Sequence, residues 1–373
     1  MRQEVNYSDD VAAWSAGLRT AQARHRRRRS VLLVLACLCS VAFGSLGAME
    51  AEEPEHSRAR LAEDTLPPRC DPTRVISPDA CSKCHVQESQ VWRSTPHAQL
   101  YERLQRDPRA QDIARRMGVR SIKRNDLCAR CHFTQVETSG KLRAIAGVSC
   151  ESCHGAGRDW VNVHNDYGGP SVSREQEPEA HRIDRLRRSM ELGMRNPENI
   201  YLIARSCLEC HTVPNESLVN QGGHHAGSQG FELVAWSQGS VRHKFLTSSG
   251  QFNAPSTPEH LRVMYVAGIL AEMEFSLRAT AVATQANRFG HESAQRAVRA
   301  ALRLKQVQDD VQQPLLHKAL VAFAHAELRT NNFQQLNAVA DELREVGIRF
   351  GEADLGTELS AVDRYLPPAN AYR

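Results

Sequence analysis

The stretch Cys81-Ser82-Lys83-Cys84-His85 decides the fold, and it is the first of four Cys-x-x-Cys-His pentapeptides in the chain. Two thiols three residues apart on a helical turn reach the two vinyl groups of one haem, and the adjacent His becomes the proximal ligand of the iron. Because four copies do not arise by chance, the sequence predicts four covalently bound haem c groups. The other copies are Cys128-Ala129-Arg130-Cys131-His132, Cys150-Glu151-Ser152-Cys153-His154 and Cys207-Leu208-Glu209-Cys210-His211.

Other uses of these cysteines fit the pattern less well. A zinc site built from Cys-x-x-Cys units needs no His directly after every second Cys. A disulfide framework would not repeat one spacing four times, and a thioredoxin-like redox site needs one such motif beside a βαβ pattern, which the sequence lacks. The predicted haem-binding residues are therefore the attachment points Cys81, Cys84, Cys128, Cys131, Cys150, Cys153, Cys207 and Cys210, with the iron ligands His85, His132, His154 and His211.

The N-terminal end carries an export pattern. An uncharged apolar run over 31–48 follows the basic stretch Arg24–Arg29, which is typical of a secretory signal. The basic flank stays in the cytoplasm, so the rest of the chain is exported, where covalent haem attachment occurs in bacteria. We expect a periplasmic protein, either soluble after removal of the signal peptide or tethered to the cytoplasmic membrane by residues 31–48. A true start downstream of Met1 is a further alternative.

The charge distribution argues against a nucleic-acid partner. Residues 1–48 hold seven Arg and three acidic residues, which account for the whole formal net charge of +4. The remainder has equal numbers of basic and acidic side chains, so no basic surface for nucleic acid is indicated. The expected partners are redox proteins, a donor and an acceptor that the sequence does not name.

Composition divides the chain into segments. The haem region has weak apolar periodicity, as expected where porphyrins supply the buried apolar surface. From Pro258 onward, apolar residues such as Leu261, Met264 and Ile269 recur at helical steps. The predicted fold is mainly α: a haem-wrapping tetrahaem module with short helices and long loops, followed by an all-α helical domain. The predicted boundaries are 1–48 for the basic segment with signal peptide or membrane anchor, 49–77 for a linker, 78–250 for the tetrahaem cytochrome c domain and 251–373 for the C-terminal helical domain.

The residues around two motifs carry a family resemblance. The first motif is followed by Gln90-Val91-Trp92 and Thr95-Pro96-His97-Ala98, and the run Gly147–Gly155 around the third is followed by His164. These stretches resemble the tetrahaem cytochrome c-554 family, electron carriers that accept from hydroxylamine oxidoreductase in nitrifying bacteria. The resemblance covers residues 78–215, and the leader, the linker and the C-terminal helical segment fall outside it.

The resemblance implies distal ligands. In that family three haems carry two His ligands each and one lacks a sixth protein ligand. His164 corresponds to the partner of the first haem and His97 to the partner of the fourth, whereas the haem at His132 corresponds to the open one.

The distal ligand of the third haem is less directly implied, because the sequence departs from the family after the fourth motif. His243 is favoured, with His224 or His225 as the other candidates. A spare His at one of these two positions would close the second haem, so His243 and His225 complete the predicted set of iron ligands.

Function depends on the second haem. With every iron bound by two His ligands, the protein is a periplasmic carrier that transfers electrons between a redox enzyme and a membrane quinone or respiratory system. With an open iron at His132, it is a reductase of nitric oxide or nitrite. A third hypothesis makes it one subunit of a larger complex, with the helical domain as docking surface. The sequence favours an electron-transfer protein over a catalyst.

Overall fold

A computed structural model describes residues 70–373. The predicted signal peptide or anchor at 31–48, and the predicted linker up to residue 69, lie outside the described residues. The described residues all fall in one compact unit, and the prediction of a mainly α fold is confirmed. Among residues 70–373, no helix has the length and apolar character needed to cross a membrane.

Short helices connected by loops make up the haem region. A side chain before the first turn caps several of them, as Thr95 does by accepting a hydrogen bond from the Ala98 amide at 3.2 Å. The chain does not continue as one helix through Thr95, because Thr95 is extended before Pro96. The helices are α1 (Pro78–Cys81), α2 (Val86–Ser94), α3 (Pro96–Arg103), α4 (Pro108–Arg116), α5 (Asp126–His132), α6 (Cys150–His154), α7 (Glu179–Glu191), α8 (Ile200–His211), α9 (Glu216–Asn220) and α10 (Leu233–Ser237).

A β-hairpin that the sequence analysis did not predict joins the second and third motifs. Strands β1 (Phe133–Thr138) and β2 (Lys141–Gly147) pair antiparallel through a two-residue turn in which both residues have positive φ. Phe133 is the register partner of Gly147. The hairpin therefore brings the end of α5 next to the start of α6.

The C-terminal part is a packed set of long helices: α11 (Pro258–Ala281), α12 (Arg288–Val311), α13 (Pro314–Phe323) and α14 (Phe333–Glu352). Helix α11 is buried on most of its circumference, as a central helix must be. It packs against α12, α14 and also α8, the helix that ends in the fourth motif. The predicted boundary between a haem domain and a C-terminal domain stays a prediction.

A buried charge cluster fixes α8 on α11. The fully buried carboxylate of Glu274 accepts hydrogen bonds from the Tyr201 hydroxyl at 2.7 Å and from Arg205 Nε at 2.9 Å. Arg278 donates to the same carboxylate from Nε at 2.9 Å. Because a buried carboxylate is tolerated only when paired, removing both arginines would leave an uncompensated charge.

Close approach between α14 and α8 depends on a glycine. A Cβ atom at Gly347 would overlap the ring of Tyr201, which is fully buried. In Gly347→Ala we expect the free energy of unfolding to fall by about 1–3 kcal/mol, because overpacking outweighs the gain in helix propensity of about 1 kcal/mol. Denaturant unfolding of the holoprotein measures this. Glu342→Ala, on the exposed face of the same helix, is the control, and equal stability of the two variants would contradict the packing argument.

Candidate haem sites

Each Cys-x-x-Cys-His motif lies at or beside the end of a helix. Helices α5, α6 and α8 each end at the motif His, whereas the first motif runs from the end of α1 to the residue before α2. A helical turn puts residues i and i+3 on one face, so both thiols of a motif point the same way. The chemistry and spacing of these side chains fit two thioether bonds to one haem.

Four pairs of imidazole rings face one another in the described residues. Each pair contains one motif His and one His from another segment of the chain. The ring centroids are 6.3 Å apart for His85 and His164, 6.3 Å for His97 and His211, 6.3 Å for His132 and His224, and 6.1 Å for His154 and His243.

The separation within each pair matches a metal bound between two rings. A metal–imidazole bond is roughly 2 Å long, and a ring nitrogen lies roughly 1 Å from the ring centroid, given the bond lengths of conjugated C–N groups. Two imidazoles bound on opposite sides of one iron therefore have centroids roughly 6 Å apart. The observed range of 6.1–6.3 Å fits that arrangement at all four positions.

Hydrogen bonds at Nδ1 orient five of these eight rings. In each of these rings Nδ1 forms a hydrogen bond with a backbone carbonyl or a hydroxyl. Nε2 is therefore the nitrogen available to bind iron, a common arrangement for metal-binding His. The contacts join His154 to the Arg195 carbonyl at 3.2 Å, His164 to the Val161 carbonyl at 2.6 Å, His211 to the Ser228 hydroxyl at 2.6 Å, His224 to the His225 carbonyl at 2.8 Å and His243 to the Val241 carbonyl at 2.7 Å.

Burial keeps several of these rings neutral. It lowers the pKa of His97 and of His164 below the ordinary value. The pKa of His154 falls to about 4, mainly through burial and also through the nearby His243. Only the neutral imidazole has a lone pair for a metal, so these shifts favour ligation at neutral pH.

The structure brings most of the predicted ligands into the pairs. His97, His164 and His243 each face a motif His. His225 does not: its Nε2 lies 2.5 Å from the Arg109 guanidinium, and the neighbouring His224 faces His132 instead. No spacing rule in the sequence separates two adjacent His residues, so only their three-dimensional positions distinguish them.

Hydrogen bonds and helix packing connect neighbouring candidate haem sites. The sulfur atoms of Cys81 and Cys150 are joined by a hydrogen bond, which puts the first and third attachment points side by side. The Ser206 hydroxyl, just before the fourth motif, donates to the Cys153 carbonyl at 2.7 Å. Helix α3, which carries His97, packs against α5 of the second motif. These contacts link the sites in the order one, three, four, two.

Three comparisons relate the chain to known proteins. Residues 80–155 match the family model described as cytochrome c554 and c-prime. Over 96 residues the chain is 30% identical to cytochrome c-554 of Nitrosomonas europaea, an alignment that covers 24% of this chain and 41% of that relative. The chain thus spans about two fifths of the length of the curated relative it matches. No solved structure matches the chain.

A buried ion pair supports the segment that carries His164. The Arg185 guanidinium donates to the His164 carbonyl at 2.6 Å and to both oxygens of the Glu177 carboxylate. Arg185, with a further contribution from His181, lowers the pKa of Glu177 to about 2 from an ordinary value of 4.5. A depressed carboxyl pKa contributes stability above the ordinary value that is lost as the pH falls through the folded value.

For Glu177→Gln we therefore expect lower stability than wild type at pH 7 and a difference that shrinks between pH 4.5 and about 2. Denaturant unfolding at several pH values measures it. Glu179→Gln removes an exposed carboxylate paired with Arg182 and serves as control, with little expected change in stability because solvent screens the pair. A difference that is the same at every pH would contradict this account of Glu177.

Proposed function

We propose that the chain, whose residues 80–155 match the family model of cytochrome c554 and c-prime, is an exported tetrahaem electron carrier with covalently bound haem c. It receives electrons from a donor protein and passes them to an acceptor connected to the membrane quinone or respiratory system. The export pattern over residues 24–48 supports a periplasmic location, soluble or membrane-tethered.

The observation that carries this proposal is the set of four facing imidazole pairs. Each motif His has a partner at the separation expected for two axial ligands, so the proposed pairs are His85–His164, His132–His224, His154–His243 and His211–His97. The second pair matters most, because His224 occupies the position that an open iron would offer to a small molecule.

Haem c, when bound, supplies one-electron oxidation and reduction at its iron. The protein residues determine the rest. Paired imidazoles exclude a substrate from the iron, and the Nδ1 hydrogen bonds hold them in one orientation in both oxidation states. The proximity of Cys81 to Cys150 and the hydrogen bond from the Ser206 hydroxyl to the Cys153 carbonyl support close spacing of adjacent sites, as electron transfer between them requires.

The alternative, reduction of a nitrogen oxide at the second haem, requires His132 to lack a partner. The facing ring of His224 argues against it. In the same way, the buried Glu274 cluster between α8 and α11 supports a structural role for the C-terminal helices, in preference to a separate docking domain.

Electron paramagnetic resonance of the oxidised holoprotein tests the proposal. We expect four low-spin haems in the wild type, and no change when nitric oxide is added to the reduced form. His224→Ala is expected to convert about one haem in four to a high-spin form that binds nitric oxide. His225→Ala is the matched control and should leave all haems low-spin, because its Nε2 contacts Arg109 and not an iron site.

A high-spin, nitric oxide-binding haem in the wild type would overturn the carrier proposal and make reductase assays the next step. A high-spin signal in His225→Ala but not in His224→Ala would reverse the ligand assignment. Intact mass of the purified protein gives the haem count independently, and fewer than four haems per chain would contradict the tetrahaem assignment.

A further inference from the structure

Three buried N–H groups in the described residues have no protein acceptor: Nε1 of Trp160, Nε1 of Trp236 and Nε of Arg242. Trp160 itself is only 5% exposed. Leaving a buried donor unpaired costs about 1–3 kcal/mol, so each of these groups is expected to meet an acceptor in the mature protein. The remaining unpaired buried side-chain atoms in residues 70–373 are oxygens of Asn199, Ser276, Ser293 and Gln308.

All three donors lie beside proposed iron ligands, and each lies at a different site. The Trp160 ring packs edge-on against His164 with centroids 5.2 Å apart. The Trp236 ring lies 5.5 Å from that of His211. Arg242 directly precedes His243 in the chain. The three groups therefore belong to sites one, four and three.

We propose that Trp160, Trp236 and Arg242 donate hydrogen bonds to the propionate carboxylates of the haems at sites one, four and three. Each haem brings two carboxylates into a mostly apolar site, and a partly buried carboxylate needs donors. The three N–H groups lie beside the proposed haem ligands and lack any other acceptor within residues 70–373. This inference rests on the proposed axial pairs for the assignment of each donor to a haem.

The three proposed hydrogen bonds are expected to change the reduction potentials of the haems in one direction. An ionised carboxylate near the iron stabilises the ferric state, and a hydrogen-bond donor or a positive charge on that carboxylate offsets the effect. Each of the three side chains therefore raises the reduction potential of its own haem. They act as positioning and tuning residues, because they do not touch the iron.

The test uses Trp160→Phe, Trp236→Phe and Arg242→Met in the full-length holoprotein. Potentiometric titration followed by electron paramagnetic resonance resolves the individual low-spin haems. We expect each variant to lower the potential of one haem, a different haem in each case, while all haems stay low-spin. The frequency of the propionate bending mode in resonance Raman spectra is expected to change in the same variants.

Trp92→Phe is the matched control, because the Trp92 N–H already donates to the Val148 carbonyl at 2.8 Å. It should reduce stability without moving a potential. Unchanged potentials and Raman spectra in Trp160→Phe and Trp236→Phe would overturn the proposal and indicate water as the acceptor. A high-spin haem in a variant would equally overturn it, by assigning the residue a purely structural role at the ligand. If the proposed axial His pairs are wrong, the wild-type protein itself will contain a high-spin haem. That result is distinct from the outcomes that test the three donors.

Discussion

The pairing of imidazole rings, which we propose to lie across a haem, is the constraint on which the rest of the structure depends. Each motif His faces a His from a distant part of the chain, as His85 faces His164 and His154 faces His243. Every pair therefore closes a long loop, and the loss of chain entropy on closure has to be offset by metal–ligand bonds and by burial of the porphyrin. The short helices and connecting loops of residues 78–250 follow from this arrangement, because the chain wraps cofactors instead of building an extended apolar core.

The C-terminal helices pack against the haem region at the helix that ends in the fourth motif. Helix α8 ends in the fourth motif, and the cluster around Glu274 ties it to α11. The Arg296 guanidinium, on α12, donates to the Ala226 carbonyl at 2.7 Å and reaches the His211 carbonyl at 3.4 Å. One side chain of the helical bundle thus holds both a proposed ligand of the fourth haem and the loop that carries His224. The family-model match covers residues 80–155 and does not include these helices.

The second site is where the proposed ligand set departs from the set that the family resemblance implies. In the family that the haem region resembles, one iron has no sixth protein ligand. Here the turn at Gly222 and Gly223 leads into two adjacent His residues, and the first of them faces His132. An imidazole at that position favours electron transfer over binding of a small molecule, because a six-coordinate iron has no free position.

Features that depend on a few neighbouring residues could be predicted from the amino-acid sequence alone. The thiol spacing and the adjacent His predict four attachment points, and the helical stripes after Pro258 predict the long helices found there. The sequence did not determine the hairpin over 133–147, whose strands are stabilised by pairing with each other and by packing. It also did not distinguish His224 from His225, since the two differ by one residue in a loop. The proposed choice of His224 rests on tertiary structure, because residues from distant parts of the chain place the ring of His225 against Arg109 and the ring of His224 opposite His132.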